Sequence, residues 1–431
     1  MWQTIVNAFK IKDVRRKILI TIALIFVYRL GCTLPIPGIA SMFDFEGYNF
    51  LQIMSAVSGG ALSQGTFFAM GIGPYINASI IIQLLSVGIP ALERLSKQGE
   101  EGKKKISAYT RILTLFLAIA QAIGIVIAFN DAIEFGYLFG TTGFAKFFGY
   151  VFLVAVYTAG AALTMWIGER ITDYGVSNGI SLLIFAGILT TAGKAILGLV
   201  AGLFDANAFQ TAAWQLIGFL VTAVVIFAAI VTVESAERKI PVQYAKQVKG
   251  RKMYGGQSTH IPIKVNASGV MPLIFAYAIL SFPDLIMSIF GVATEGTWWG
   301  NNMGTGSYLY MVVLCLLILF FSYFYNQIQF NPDDISKSIQ GNGGFIPGTR
   351  PGKPTADYLK RVANRITLFG AIFLALVALI PTILFKIISP DGSLVNVFSA
   401  TGLLIIVSVA LEFEQALQSQ IMMKNYKGFL K

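Results

Sequence analysis

Between Glu46 and Glu93 the chain runs for 46 residues without a charge. A membrane-spanning helix needs about 20 apolar residues, so this run is long enough to cross a bilayer twice. The flanking charges argue against that. Lys10, Lys12, Arg15, Arg16 and Lys17 precede the first apolar stretch, and Arg94, Lys97, Lys103, Lys104, Lys105 and Arg111 follow the long run. Clusters of Lys and Arg mark the cytoplasmic side of a membrane protein. The crossings between two such clusters must be even in number, so the long run is expected to cross once. Its first part, Ser58-Gly59-Gly60-Ala61-Leu62-Ser63-Gln64-Gly65, is too rich in Gly and Ser to face lipid. Irregular backbone at membrane depth survives only inside protein or beside a water-filled cavity. A re-entrant or buried segment is therefore expected here, and with it a pore.

The other charge-free gaps supply the remaining spans. Stretches of 19, 22, 20 and 28 uncharged residues follow Arg111, Lys146, Asp173 and Asp205. Further stretches of 19, 37, 20 and 20 follow Lys264, Glu295, Arg365 and Asp391. With a first span interrupted only by Arg29, the expected count is ten, with both termini cytoplasmic. The proposed inside segments (the N-terminus, 93–111, 169–173, 234–264, 331–365 and the tail after Leu411) hold 28 of 32 basic residues but 13 of 21 acidic ones. Asp44, Glu46, Asp131, Glu134, Asp205, Glu295 and Asp391 fall outside. Five spans lie in residues 1–205 and five in 206–431. An odd number per half predicts two halves of opposite orientation, a common design in membrane transport proteins. The fold class expected is an all-α integral membrane protein.

Composition and motifs exclude several functions. Charged residues make up 12% of the chain, against about 25% in ordinary globular proteins, which removes soluble enzymes, nucleic-acid domains and secreted disulfide scaffolds. One histidine, His260, and two cysteines in apolar runs, Cys32 and Cys315, offer no metal cluster, and no cofactor is expected. Gly175-Val176-Ser177-Asn178-Gly179 spells a nucleophile-elbow pattern, but it sits at a membrane boundary 83 residues from the histidine. The Gly-Lys pairs at 102–103, 193–194 and 352–353 are followed by Lys, Ala and Pro, not the Ser or Thr of a phosphate-binding loop. Arg29, Lys194 and Asp284 are the few ionisable groups within the spans. Arg29 and Lys194 are expected to snorkel toward an interface. Such a sparse set disfavours the alternative of an ion-coupled small-solute transporter, which normally keeps charges at its binding site.

Four segments carry a specific resemblance. Gly71-Ile72-Gly73-Pro74-Tyr75-Ile76-Asn77-Ala78-Ser79-Ile80-Ile81-Ile82-Gln83-Leu84-Leu85 is similar to the second span of the SecY family, the central subunits of the bacterial Sec protein-conducting channel. The same holds for Ser177-Asn178-Gly179-Ile180-Ser181, for Gln257-Ser258-Thr259-His260-Ile261-Pro262, and for Gly344-Phe345-Ile346-Pro347-Gly348-Thr349-Arg350-Pro351-Gly352. The resemblance runs from Val14-Arg15-Arg16-Lys17 to Asn425-Tyr426-Lys427-Gly428-Phe429, in order. Small departures stand at Gly73, where a larger apolar residue is usual, and at Asn77, where Ser is usual.

That resemblance implies a mechanism and places residues in it. Ile72, Ile76, Ile180, Ile184, Ile274 and Ile405 would form an apolar ring at the waist of an hourglass pore. A narrow apolar ring dewets and blocks ions. The plug would be Ser55, Ala56, Val57, Ser58, Gly59, Gly60, Ala61, Leu62, Ser63 and Gln64. Asn77, Gln83, Gln121 and Asn266 would be polar positions of a gate between spans two and three and spans seven and eight. Arg238, Lys239, Lys246, Lys249, Arg251, Lys252, Arg350 and Lys353, in loops 234–264 and 331–365, would meet the SecA ATPase or the ribosome, whose RNA phosphates suit basic loops. Arg350 sits in a Pro- and Gly-framed turn, a setting that presents a planar bidentate donor. The remaining partners implied are SecE and SecG membrane subunits, signal sequences, preproteins and the lipid bilayer. The setting implied is the bacterial plasma membrane. The activity implied is passage of unfolded polypeptide across it and of apolar segments sideways into it, with no enzymatic step.

Overall fold

The computed structural model describes the chain except residues 1, 40–50, 52–53, 56–57, 97, 130–142, 205–208, 245–246, 250–251, 255–257, 267–268, 291, 293–296, 305–306, 389–399 and 429–431. Helices occupy all ten expected span positions. They are α2 (Lys12–Gly31), α3 (Gly73–Gly88), α5 (Glu100–Ala128), α6 (Gly143–Tyr174) and α7 (Gly179–Gly202), then α8 (Phe209–Glu234), α9 (Met271–Ile289), α11 (Tyr308–Gln329), α13 (Lys353–Ile388) and α14 (Ala400–Gly428). Short helices accompany them: α1 (Trp2–Lys10), α4 (Pro90–Ser96), α10 (Trp298–Met303) and α12 (Pro332–Gly341). Among the described residues, seven helices are long and apolar enough to cross a membrane, and the pair α3–α4, bent by 106° at Ile89, can make an eighth. The other two are α2, with charges at both ends, and α9, whose apolar part Met271–Asp284 is short. The protein is a multi-pass membrane protein.

Local chemistry sets the helix starts. Pro74 stands in the first turn of α3, where its missing N–H has no helical partner to lose. The Asn178 Oδ1 accepts the Ile180 N–H at 3.1 Å and opens α7. Ser307 does the same for α11, accepting from Tyr310 N–H at 3.2 Å. Each cap satisfies a donor that would otherwise be orphaned at the helix end.

The Gly- and Ser-rich stretch does not cross the bundle as a regular helix. Leu51, Met54, Ser55 and Ser58 are helical, and turns carry the chain from Gly59 to the start of α3. Its far end is stitched to the end of α2: Ile36 N–H donates to Gly65 O at 3.1 Å and Phe67 N–H to Leu34 O at 3.0 Å. Leu51 and Leu62 are buried in one cluster with Ala118, Ile125, Leu153 and Tyr157 of α5 and α6. At Gly160 of α6 the approach is backbone to backbone, since a Cβ there would lie 2.1 Å from Phe67 O. The stretch is therefore packed against protein through Leu51, Leu62 and the backbone at Phe67, one of the settings in which irregular backbone is stable at membrane depth.

The two large polar insertions depart from helix. Strands β1 (Glu237–Tyr244) and β4 (Ser258–Lys264) pair antiparallel, with Ile240 opposite Ile261. Two short strands, β2 (Gln247–Lys249) and β3 (Lys252–Tyr254), pair with each other beyond them, Lys249 opposite Lys252. β5 (Gly344–Phe345), from the second insertion, pairs with the other edge of β1. Ile240, Val242 and Ile263 are buried with Ile339, Ile346 and Leu359, so the insertions share one small core. Cysteines placed singly at Ser258 and Thr349 are accordingly expected to react with an impermeant thiol reagent from the same face of the membrane. Labelling from opposite faces would contradict the shared sheet.

Candidate functional site

The six isoleucines converge. Ile72 precedes α3, Ile76 lies on it, Ile180 and Ile184 on α7, Ile274 on α9 and Ile405 on α14. All six belong to one apolar cluster, in which Ile72, Ile184 and Ile405 are buried and the other three pack against them. Four helices from both parts of the sequence thus meet in a cluster that also holds Tyr28, Phe68, Leu182, Leu183 and Val409. Ala61 of the re-entrant stretch is buried in the same cluster. An interior of branched aliphatic side chains offers no hydrogen bond or charge to hold a passing solute.

Of the ten plug positions, Ala56 and Val57 lie outside the described residues. Ser55 and Ser58 are helical, and the Ser58 hydroxyl donates to Ser55 O at 3.0 Å while accepting the Leu62 N–H at 3.3 Å. Gly59 and Gly60 have φ of 77° and 81°, the left-handed region that glycine enters without strain. Ala61 and Leu62 are buried, Ser63 donates to Gly60 O at 2.9 Å, and Gln64 is half-buried. Two cations hold this turn. Arg29 Nη1 donates to Ser58 O at 3.3 Å and Lys194 Nζ to Gly59 O at 3.2 Å. The snorkelling expectation named no protein partners, and the structure gives each cation one, with Arg29 half-buried and Lys194 exposed.

The four polar positions separate. Gln83 Oε1, on α3, accepts the Tyr325 hydroxyl of α11 at 2.6 Å. Asn266 Nδ2 donates to Glu234 Oε1 at 3.0 Å, and the same oxygen accepts the Ser408 hydroxyl at 2.7 Å. That group ties the end of α8 and the turn at Asn266 to α14. Gln121 is buried on α5 with both amide atoms unpaired among the described residues, and Asn77 is half-buried on α3. Near the Gln83 contact, Ile80 of α3 is buried in one cluster with Leu273 and Phe275 of α9 and with Phe321 and Tyr325 of α11. Tyr325, Glu234 and Ser408 were not anticipated. Glu234 had one signal, a carboxylate closing a 28-residue uncharged run; Tyr325 had none to set it apart from neighbouring aromatics.

The described basic positions lie on the strands, a turn and a helix start of the two insertions. Arg238 and Lys239 are exposed on β1, with Lys239 Nζ 3.3 Å from Glu237 Oε1. Lys249 and Lys252 are cross-strand partners, while Lys246 and Arg251 lie outside the described residues. Arg350 is exposed in a turn closed by Thr349 N–H to Ile346 O at 3.1 Å and by the Thr355 hydroxyl to Arg350 O at 2.8 Å. Lys353 is exposed at the start of α13. The seven acidic residues expected on the opposite side lie outside the described residues.

The SecY family profile matches residues 66–414. The chain belongs to the SecY family. A curated relative, the protein translocase subunit SecY of Mycobacterium tuberculosis, is 41% identical over 454 residues and covers 100% of both chains. Among solved structures, one titled as the structure of a protein conducting channel is similar with a TM-score of 0.67 at 20% identity, covering 94% of this chain and 92% of that one. Sec61 in the canine ribosome-channel complex is similar with a TM-score of 0.61 at 18% identity, covering the same shares. Membership in the SecY family sets aside the small-solute transporter.

Hydrogen bonds between membrane helices average about 0.6 kcal/mol. In a double-mutant cycle of Gln83→Met and Tyr325→Phe, followed by unfolding in detergent, a coupling of about that size is expected. Strict additivity would mean that the contact carries no coupling.

Proposed function

We propose that this chain forms the conduit of a protein translocase, in which unfolded polypeptide passes the isoleucine waist and apolar segments leave sideways between α3 and α5 on one side and α9 and α11 on the other. The observation that carries this reading is the convergence of six isoleucines from four helices on the re-entrant stretch. A branched apolar collar excludes ions at rest yet yields to bulky side chains, and it binds no sequence preferentially. The stretch at 55–64 acts as a plug. The seam between these two helix pairs acts as the gate: one modest hydrogen bond and apolar packing close it, and an apolar segment gaining roughly 0.8 kcal/mol per buried CH₂ competes with that.

Residues 1–205 and 206–431 act as inverted halves, with both termini and the joined insertions in the bacterial cytoplasm. The positive-inside bias supports this orientation. Arg238, Lys239, Lys249, Lys252, Arg350 and Lys353, with Lys246 and Arg251, make the face that receives the SecA motor or a ribosome. The likeness to the canine ribosome-channel complex supports the second partner. SecE- and SecG-like membrane subunits complete the channel, and signal sequences open the gate.

Reconstitution in planar bilayers and vesicles tests the reading. Replacing Ile76, Ile184, Ile274 and Ile405 together with Ser is expected to raise resting ion leak. In the same vesicles Arg350→Ala slows SecA-driven transport and leaves resting tightness unchanged. Ion-tight serine variants would remove the waist from the account.

A further inference from the structure

Two basic side chains on the span helices, Arg29 half-buried and Lys194 exposed, are not used by the ring, the gate or the basic face. Arg29 lies near the end of α2, and Lys194 lies two-thirds of the way along α7. They come from different helices and donate to successive carbonyls, Ser58 O at 3.3 Å and Gly59 O at 3.2 Å. We propose that Arg29 and Lys194 are a two-cation clasp that holds the plug seated by its backbone, and that the Gly59-Gly60 pair is the site they grip. The inference rests on reading residues 55–64 as the plug.

Three features support it. The helical part of the stretch ends at Ser58, so these carbonyls belong to a helix C-terminus, where acceptors are left over and cations are favoured. The glycines are a steric requirement as well as a turn. A Cβ on Gly59 would sit 2.7 Å from Arg29 Nη2, and one on Gly60 would sit 3.2 Å from Lys194 Nζ. A side chain at Gly59 would push the guanidinium off the carbonyl. The grip is also the right strength for a part that must leave. Charge-assisted bonds to carbonyls are stronger than neutral ones, yet there are two rather than a network. Once the plug moves into a water-filled pore, both cations can be hydrated, so release strands no charge in an apolar interior.

Cys32 supplies a native reporter. It is buried at 4% exposure in the cluster that contains Ala61, and displacement of the plug uncovers it. The experiment uses the complete channel with its membrane subunits, in a Cys315→Ser background. Lys194→Met and Arg29→Met keep the apolar stem and remove the charge; Lys194→Arg and Arg29→Lys keep the charge. Deletion of residues 55–64 is the control for the plug itself. Resting open events in planar bilayers and the rate of Cys32 labelling by an impermeant thiol reagent are both read. Each Met variant is expected to raise both by about tenfold, the scale of one lost charge-assisted bond, while the charge-keeping variants stay near the parent. If Arg29→Met fails to co-purify with its subunits, Lys194→Met alone decides. Met variants as tight and as slowly labelled as the parent, in a channel that the deletion makes leaky, overturn the clasp and leave the plug standing. A deletion without effect overturns both.

Discussion

Backbone polar groups cannot be left unpaired in hydrocarbon, and that constraint organises the molecule. Ten helices satisfy it within themselves. The turns from Gly59 to Ile72 do not, and they depend on protein or water around them. α2 stitches the far end, α5 and α6 bury Leu51 and Leu62, α6 gives up a side chain at Gly160 to admit the backbone, and α2 and α7 send cations to the open carbonyls. In the proposed channel residues 55–64 are the plug.

The isoleucine collar lies directly against that element, with Ala61 buried in the cluster of Ile72, Ile184 and Ile405. In the proposed channel, collar and plug use different physics for the same seal. The collar would exclude ions by dewetting and adapt to the width of what passes. The proposed plug would close by specific backbone contacts that either hold or release. The proposed gate would be a third closure of another kind, apolar packing around one hydrogen bond from Tyr325 to Gln83. An apolar segment could replace packing of that sort but would have no means of breaking the proposed carbonyl clasp directly. Opening sideways and opening through the pore would then be separately controlled.

Much of this was legible in the sequence. Charge-free gaps located all ten helices, because lipid forbids charges over a length set by bilayer thickness. Charge parity excluded a second crossing before Glu93 and so exposed the re-entrant stretch. Two features were not legible. The β1–β4 hairpin was read only as a basic loop, although Ile240 and Val242 alternate with Lys239, Pro241 and Gln243; the search for 20-residue apolar lengths passes over a period of two. Arg29 and Lys194 were assigned to the interface because a lone cation in an apolar helix usually reaches water. Their partners are backbone carbonyls 29 and 135 residues away, and backbone acceptors leave no mark in a sequence. The ring isoleucines needed the family motif, since one isoleucine in a span looks like any other.

The central claim is that polypeptide passes between α3, α7, α9 and α14 at the isoleucine collar. The direct measurement is site-specific photocrosslinking of a translocating chain arrested midway, with probes placed singly at Ile76, Ile184, Ile274 and Ile405. The account predicts that the arrested chain crosslinks to all four positions, and that exposed Phe227 on α8 does not react. Crosslinks confined to one side of the collar, or absent from it while transport proceeds, would contradict the account.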